Sequence, residues 1–227
     1  MGHLLAAGGS ITINLGNGAS KPSSSLLIIL ALALLTLAPS ILILLTGFTR
    51  VIIVFSLTRQ ALGLTTTPPN QVLIGIALFV SILLMAPTLS TLNHVAVQPY
   101  LHGTINAVQA FDKGQVPLKH WMLRQTGQQE LALTTKVAHE SAAVPMHDSL
   151  TAIIPAFLLT QLKDAFIIGF VIFVPFLIID LVVASTLMSM GIVMLPPTLV
   201  SLPFKLLLFV LVDGWVLVVQ SLITSFR

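Results

Sequence analysis

The sequence predicts an all-α membrane protein: two apolar helical hairpins around a polar middle region of short helices. Three observations carry that reading. Of 227 residues, 56% are hydrophobic and only 7% are charged, where a soluble domain carries about 25%. Too few charges remain to cover a water-facing surface. Four apolar stretches are each long enough to cross a hydrocarbon core of about 30 Å as a helix. Two acids, Asp180 and Asp213, each interrupt an apolar run that is otherwise uncharged nearby. An acid at the bilayer centre costs about 2.5–3.5 kcal/mol on insertion scales, so it is rarely left facing lipid. Both acids therefore call for a protein-lined or water-lined setting, and for an assembly of many helices.

Residues 1–25 are small and polar and lack the cationic start of a secretory signal. Residues 26–92 read as the first apolar hairpin. Its first span, Leu26–Phe48, carries no charge, and Ser23–Ser25 offer N-cap hydroxyls before it. Apolar character continues past Arg50 as far as Arg59. The second span, Gln71–Leu92, opens behind the breaker Thr67-Pro68-Pro69-Asn70. Residues 93–152 form the polar region, with four bases, four acids and five of the six histidines between Asn93 and Asp148. Gly103, Gly114 and Gly127 divide it into short pieces. One is Pro117–Gln125, with Pro117 at its first helical position and Leu118, Trp121 and Met122 on one face. Residues 153–227 read as the second hairpin. Ile153–Leu162 is too short to span alone; Phe166–Met190 is the third span and Leu199–Ile223 the fourth.

The connection from Arg50 to Asn70 has two arginines and no acid, and the polar region is neutral. By the positive-inside rule the first connection is cytoplasmic, with the polar region and both termini outside. Prolines recur at membrane depth: Pro39, Pro87, Pro155, Pro175 and Pro203. Each removes a backbone hydrogen bond, tolerated where the helix is buried in protein or lines a cavity. Gly63 to Pro68-Pro69 and Gly191 to Pro196-Pro197 share the spacing G-x4-P-P, each between two apolar segments. That echo suggests two hairpins inserted in the same sense.

Most enzyme chemistry is missing. His139-Glu140 begins a zincin-like pair, but Ala143 stands where the second histidine would. No phosphate-binding, dinucleotide or nucleophile-elbow motif occurs, so neither an enzyme nor a cofactor is expected. With no cysteine there is no disulfide framework or thiolate metal site. A net charge of +3, spread singly, does not suggest nucleic acid. The histidines have no regular ligand spacing and read as solvated or hydrogen-bonded groups, with no metal site expected. Asp180 and Asp213 admit two roles. They could form the relay of a proton-coupled or small-solute transporter, or they could be structural partners for Lys205, the one base near the last two segments. The stretch from Leu187 to Pro197 is apolar and sulfur-rich, and a ring of such loops could close a pore by contact and by excluding water.

Three blocks carry a specific resemblance: TGFTRVIIVFSLTRQALGLTTTPPNQVLIGIALF (Thr46–Phe79), VPMHDSLTAIIPAFLLTQLKDAFIIGF (Val144–Phe170) and VPFLIIDLVVASTLMSMGIVMLPPTLVSLPFKLLLFVLVDGW (Val174–Trp215). In this order they resemble the FliP family of flagellar export-gate proteins. The injectisome homologue, SctR, shares much of this, but Phe48–Arg50 and Met122–Thr126 look flagellar.

The resemblance implies a non-enzymatic subunit of the type III export apparatus, in the bacterial inner membrane at the flagellar basal body. Such subunits assemble as five copies with FliQ and FliR into a helical funnel that unfolded flagellar proteins traverse. It also implies a methionine-rich gasket, here on Ile192, Val193 and Met194, of which only Met194 keeps the sulfur. The family places an acid, most often Glu, at the position of Gln161, where it can pair with the base at Lys205. With Gln161 here, Lys205 needs another partner, and Asp164, Asp180 and Asp213 are the candidates. Lys205, Gln161, Asp180, Asp213, Arg50 and Arg59 are the expected subunit contacts.

Overall fold

The computed structural model describes residues 28–29, 32–33, 35–36, 43–138, 149–192 and 194–226. The chain divides into two units, Met1–Pro39 and Ser40–Arg227. In the first, the described residues are helical and exposed. The second carries the fold. Residues 1–25, His139, Glu140, His147 and Val193 lie outside the described residues, as does much of Leu26–Phe48.

Every described element of the second unit is helical. α1 (Phe48–Ala61) buries Val51, Val54, Phe55, Thr58 and Ala61, a helix-spaced face. α2 (Asn70–Leu92) continues through a π-helical turn, Asn93–Val97, into the short α3 (Gln98–Leu101). α4 (Ala107–Arg124) and α5 (Gln128–Val137) follow. α6 (Leu150–Ser189) has 40 residues, about 60 Å of helix. α7 (Pro197–Leu211) and α8 (Gly214–Ser225) meet at a bend of 64°.

Two helical stretches, Asn70–Leu101 and Leu150–Ser189, are long and apolar enough to cross a membrane, and α7 with α8 makes a third if the bent pair is one span. The protein is an all-α membrane protein. In lipid, apolar burial between helices gains little, so close packing and polar contacts decide how they associate. α6 is the hub: α1, α4, α5 and α7 all pack on it.

Four expectations are corrected. Ile153–Leu162 is not a separate piece but the start of α6. The polar stretch Gln161-Leu162-Lys163-Asp164 does not break the helix, because partners on other helices meet both charges. The segment Leu199–Ile223 is not one helix but two, broken at Val212-Asp213. And Pro117 does not open a helix. α4 begins ten residues earlier, where Asn106 and Gln109 cap each other reciprocally. Gly114, expected to divide the region, lies inside α4 instead and faces Ala96 of the π turn. The apolar face foreseen there does form, with Trp121 and Met122 buried beside Ile153 and Phe157.

Gly169 marks the closest approach of α1 to α6. A Cβ there would stand 2.2 Å from Leu57 Cδ1 and 3.1 Å from Leu57 Cβ. Overpacking of this kind costs about 1–3 kcal/mol. Gly169→Val is expected to lower the thermal unfolding midpoint in detergent accordingly; an unchanged midpoint would mean that α1 and α6 do not rely on this contact.

Candidate functional site

The loop between α6 and α7 is built by a stop signal and a start signal. Gly191 takes a φ of +73°, a left-handed conformation that glycine adopts without steric penalty. Its N–H donates to Met188 O and that of Ile192 to Leu187 O, both at 3.0 Å, the paired bonds of a Schellman ending. Pro196 is extended and Pro197 opens α7, where its missing N–H would have been unpaired anyway. The turn after α1 repeats this solution. Gly63, at φ +77°, donates to Gln60 O and Leu64 to Arg59 O, and Pro69 precedes α2. The G-x4-P-P echo thus encodes one helix stop used twice, while the starts differ by a residue: Pro69 stands just before α2, whereas Pro197 is the first residue of α7.

The loop presents sulfur outward. Met194 is 96% exposed, and Met188 and Met190 are exposed as well. Ile192 is half-buried. The family resemblance placed the gasket on Ile192, Val193 and Met194 alone, without Met188 and Met190. These belong to the same sulfur-rich stretch, which was the available signal.

Behind the loop lies an ion pair whose cation is buried and whose carboxylate is partly exposed. Lys205 Nζ, on a residue only 4% exposed, is 2.6 Å from Asp180 Oδ2. It also donates to the Ala61 carbonyl at 3.1 Å, and Ser201 donates to Asp180 Oδ1 at 2.5 Å. Lys205 therefore joins α6 and α7 while capping the last carbonyl of α1. Of the three acids open to it in sequence, Asp180 is the partner.

Arg50, 1% exposed, builds a second clamp of the same kind. It pairs with Asp164 at 2.8 Å, donates to the Ser225 carbonyl at 3.0 Å and lies over the Phe226 ring at 4.2 Å. Again one cation meets a carboxylate of α6 and a carbonyl at a helix end. Arg59 donates to Asn70 Oδ1 at 2.6 Å and to Pro68 O at 3.2 Å, fixing the first turn. Gln161 is fully buried, and neither end of its amide has a hydrogen-bond partner among the described residues. Asp213 pairs with no cation among the described residues. It is exposed in left-handed backbone at φ 53° and marks the break between α7 and α8. Asp is one of the residues that tolerates this conformation, and the dipeptide Asp213-Gly214 was the turn signal in the sequence.

Lys163 meets Glu130 at 2.9 Å, and the Thr160 hydroxyl accepts from Gly127 N at 3.0 Å, so α5 is docked on α6. The bond from Lys163 holds the Glu130 carboxyl below its ordinary 4.5, helped by a backbone hydrogen bond and opposed by desolvation. A lowered carboxylate pKa stabilises the fold above the unfolded value, and the gain is lost as pH falls through the folded one. The Lys163–Glu130 contribution is thus whole above pH 4.5 and fades below it. Glu130→Gln is expected to lower the unfolding midpoint at neutral pH and to converge with the parent protein in acid. Parallel pH profiles would show that the pair contributes nothing.

Breaking a buried ion pair from one side costs about 3–5 kcal/mol, whereas replacing both partners by apolar groups is often neutral. Asp180→Leu, which strands the buried Lys205, is therefore expected to destabilise strongly in thermal unfolding, and Asp180→Leu with Lys205→Met to recover most of the loss. A double variant no better than the single would remove Asp180 as the partner.

Among the described residues no cluster of histidine or acidic side chains could hold a metal ion. The sequence profile of the FliP family matches residues 31–222. The flagellar biosynthetic protein FliP of Bacillus subtilis strain 168 is 51% identical over 90% of this chain and 93% of its own length. The protein of that name from Pectobacterium carotovorum subsp. carotovorum is 47% identical, over 96% of this chain and 85% of its own. That from Aquifex aeolicus strain VF5 is 45% identical, over 96% and 91%. By family profile and by identity along nine-tenths of its length, this chain belongs to the FliP family.

Proposed function

We propose that this protein is a core subunit of the flagellar type III protein-export gate. Copies of the chain, five on the family pattern, assemble with FliQ and FliR around a channel, and unfolded flagellar proteins cross the membrane through it. The observation that carries this reading is the near-full-length match to proteins named for flagellar biosynthesis. The site is the inner membrane at the basal body, with the polar region and the termini on the periplasmic side. Arg59 supports that orientation, since Arg50 is already neutralised by Asp164.

In this reading the loop from Met188 to Met194, including Ile192 and Val193, is the seal. Methionine is flexible and packs against varied shapes, which suits a ring that must close on itself and then yield to a passing chain. Lys205, Asp180, Arg50 and Gln161 support subunit contacts from within. Arg50, Gln161 and Lys205 are enclosed by their own chain, so they act by holding α1, α6, α7 and α8 in place. Asp213 and Arg59 lie nearer the surface and can meet a neighbour directly. A proton-coupled transporter fits less well. Asp180 is engaged by Lys205 and Ser201, and Asp213 occupies a left-handed backbone position, so both acids have structural roles.

The test combines assembly with sealing. Co-expressed with FliQ and FliR, the chain is expected to purify as one complex of several copies; recovery only as a lone monomer in mild detergent would refute the gate. Replacing Met188, Met190 and Met194 with alanine is expected to raise ion leak across the cell membrane without loss of the complex. Unchanged conductance would remove the sealing role.

A further inference from the structure

A cavity of about 700 Å³ lies between α2, α4 and the end of α8, within the range of about 300–1,000 Å³ typical of ligand sites. Its walls are largely apolar, with Leu84, Pro87 and Val95 on one side and Val116, Ile223 and Phe226 on the other. Its rim is basic. Lys113, His120 and Arg124 follow one another at helical spacing along one face of α4. All three are exposed, and among the described residues no acid lines the cavity or pairs with them.

Trp121 is the second observation. It lines the same cavity, is only 7% exposed, and its indole Nε1 has no acceptor among the described residues. A buried donor left unpaired costs about 1–3 kcal/mol. Stacking on Phe226, with centroids 6.1 Å apart and planes 12° apart, holds the ring where it is. A donor kept buried beside unmatched cations indicates an acceptor from outside the chain, and that acceptor is anionic.

We propose that this cavity binds an anionic phospholipid. The phosphate sits between Lys113 and Arg124, with His120 as a further polar contact. Trp121 donates its N–H to a phosphate or ester oxygen, and the acyl chains run along Leu84, Val95 and Ile223. The apolar walls favour a lipid over free phosphate, which would leave them wet. Bound there, the lipid fastens the amphipathic α4 to the apolar α2 and to the C-terminal helix, tying the polar region to the membrane.

The chain has two tryptophans, so Trp215→Phe leaves Trp121 as the only tryptophan, excited apart from Tyr100 at the red edge of the absorption band. Trp215 makes edge contacts with Phe55 and Phe209 that phenylalanine can keep. In phosphatidylcholine vesicles, phosphatidylglycerol with brominated chains is expected to quench Trp121 at a lower mole fraction than brominated phosphatidylcholine does. Lys113→Gln and Arg124→Gln are each expected to weaken that preference about fivefold. Lys119→Gln, on the same helix but outside the cavity, leaves it intact. Inorganic phosphate does not reverse the quenching. Circular dichroism verifies that each variant is folded. Equal quenching by the two lipids, a preference that survives the double substitution, or reversal by phosphate alone would overturn the proposal. So would an absence of quenching in folded protein, the result expected where a second copy of the chain covers the groove.

Discussion

The structure depends on the burial of two cations. Removing a charge from water costs several kcal/mol even after the protein relaxes, and the cost is recovered only when the ion is fully met by partners. Arg50 and Lys205 each solve this with one carboxylate from α6 and one backbone carbonyl at a helix end. The carbonyl matters as much as the acid. Ala61 and Ser225 end α1 and α8, where carbonyl groups lack partners within the helix. Each clamp thus settles two problems at once, a buried charge and an orphan acceptor. It also joins three helices, tying α6 in both cases to the distant α1 and to a helix of the C-terminal pair.

From these clamps the arrangement of the long helices follows. Arg50 meets Asp164, Leu57 lies against Gly169, and Leu62 shares a cluster with Phe176. Residue numbers rise together on both sides, so α1 and α6 run parallel. α1 stops at Ala61, level with Phe176, about two-thirds of the way along α6, and α6 continues for about 20 Å more. α7 returns along that free length, with Lys205 opposite Asp180 and Phe209 opposite Phe176. It reaches the end of α1 as it finishes, and a straight continuation would run along the flank that α1 already holds. The break at Asp213 lets the chain step over α1. Gly214 lies so close to Phe209 that a Cβ would be 2.3 Å from its ring. Trp215 then meets Phe55, and Ser225 meets Arg50. The loop with its exposed methionines stands at the far end of the overhang, held from behind by Lys205 and Asp180.

What the sequence revealed and what it hid divide along the same line. Local signals were legible: the Gly and Pro-Pro turns, the apolar face of α4, and an acid in a greasy segment that had to find a cation. Lys205 was the one base near enough, so its pairing with an acid was foreseeable. The continuity of α6 across Gln161–Asp164 was not. Polar residues there read as a break unless one knows that Arg50 and Glu130, from distant parts of the chain, satisfy Asp164 and Lys163. Two errors were avoidable. Asn106 and Gln109 form a capping box at the correct spacing, and Asp213-Gly214 is a turn dipeptide inside an apolar run. In both places a strong hydrophobic pattern masked a local stop or start. The lack of a partner for Gln161 is visible only in three dimensions.

The length of α6 bears on what must surround the protein. At about 60 Å it is twice the thickness of a hydrocarbon core of about 30 Å. To lie wholly inside, it would have to tilt by about 60°, beyond the range of roughly 0–40° seen for membrane helices. Some of it therefore stands outside lipid. Yet exposed apolar side chains occur along its length, from Leu159 through Phe170 and Leu181 to Met188. The part that leaves the bilayer would set these in water unless other protein covers them, and contiguous apolar surface of that extent marks an interaction face. Lipid alone cannot satisfy this helix, and the described residues, which pack α1, α4, α5 and α7 against it, leave these side chains exposed. The proposed ring of subunits around a channel would supply such cover, from copies of the same subunit or sister subunits of similar greasy character, for a helix too long for its membrane and too apolar for water.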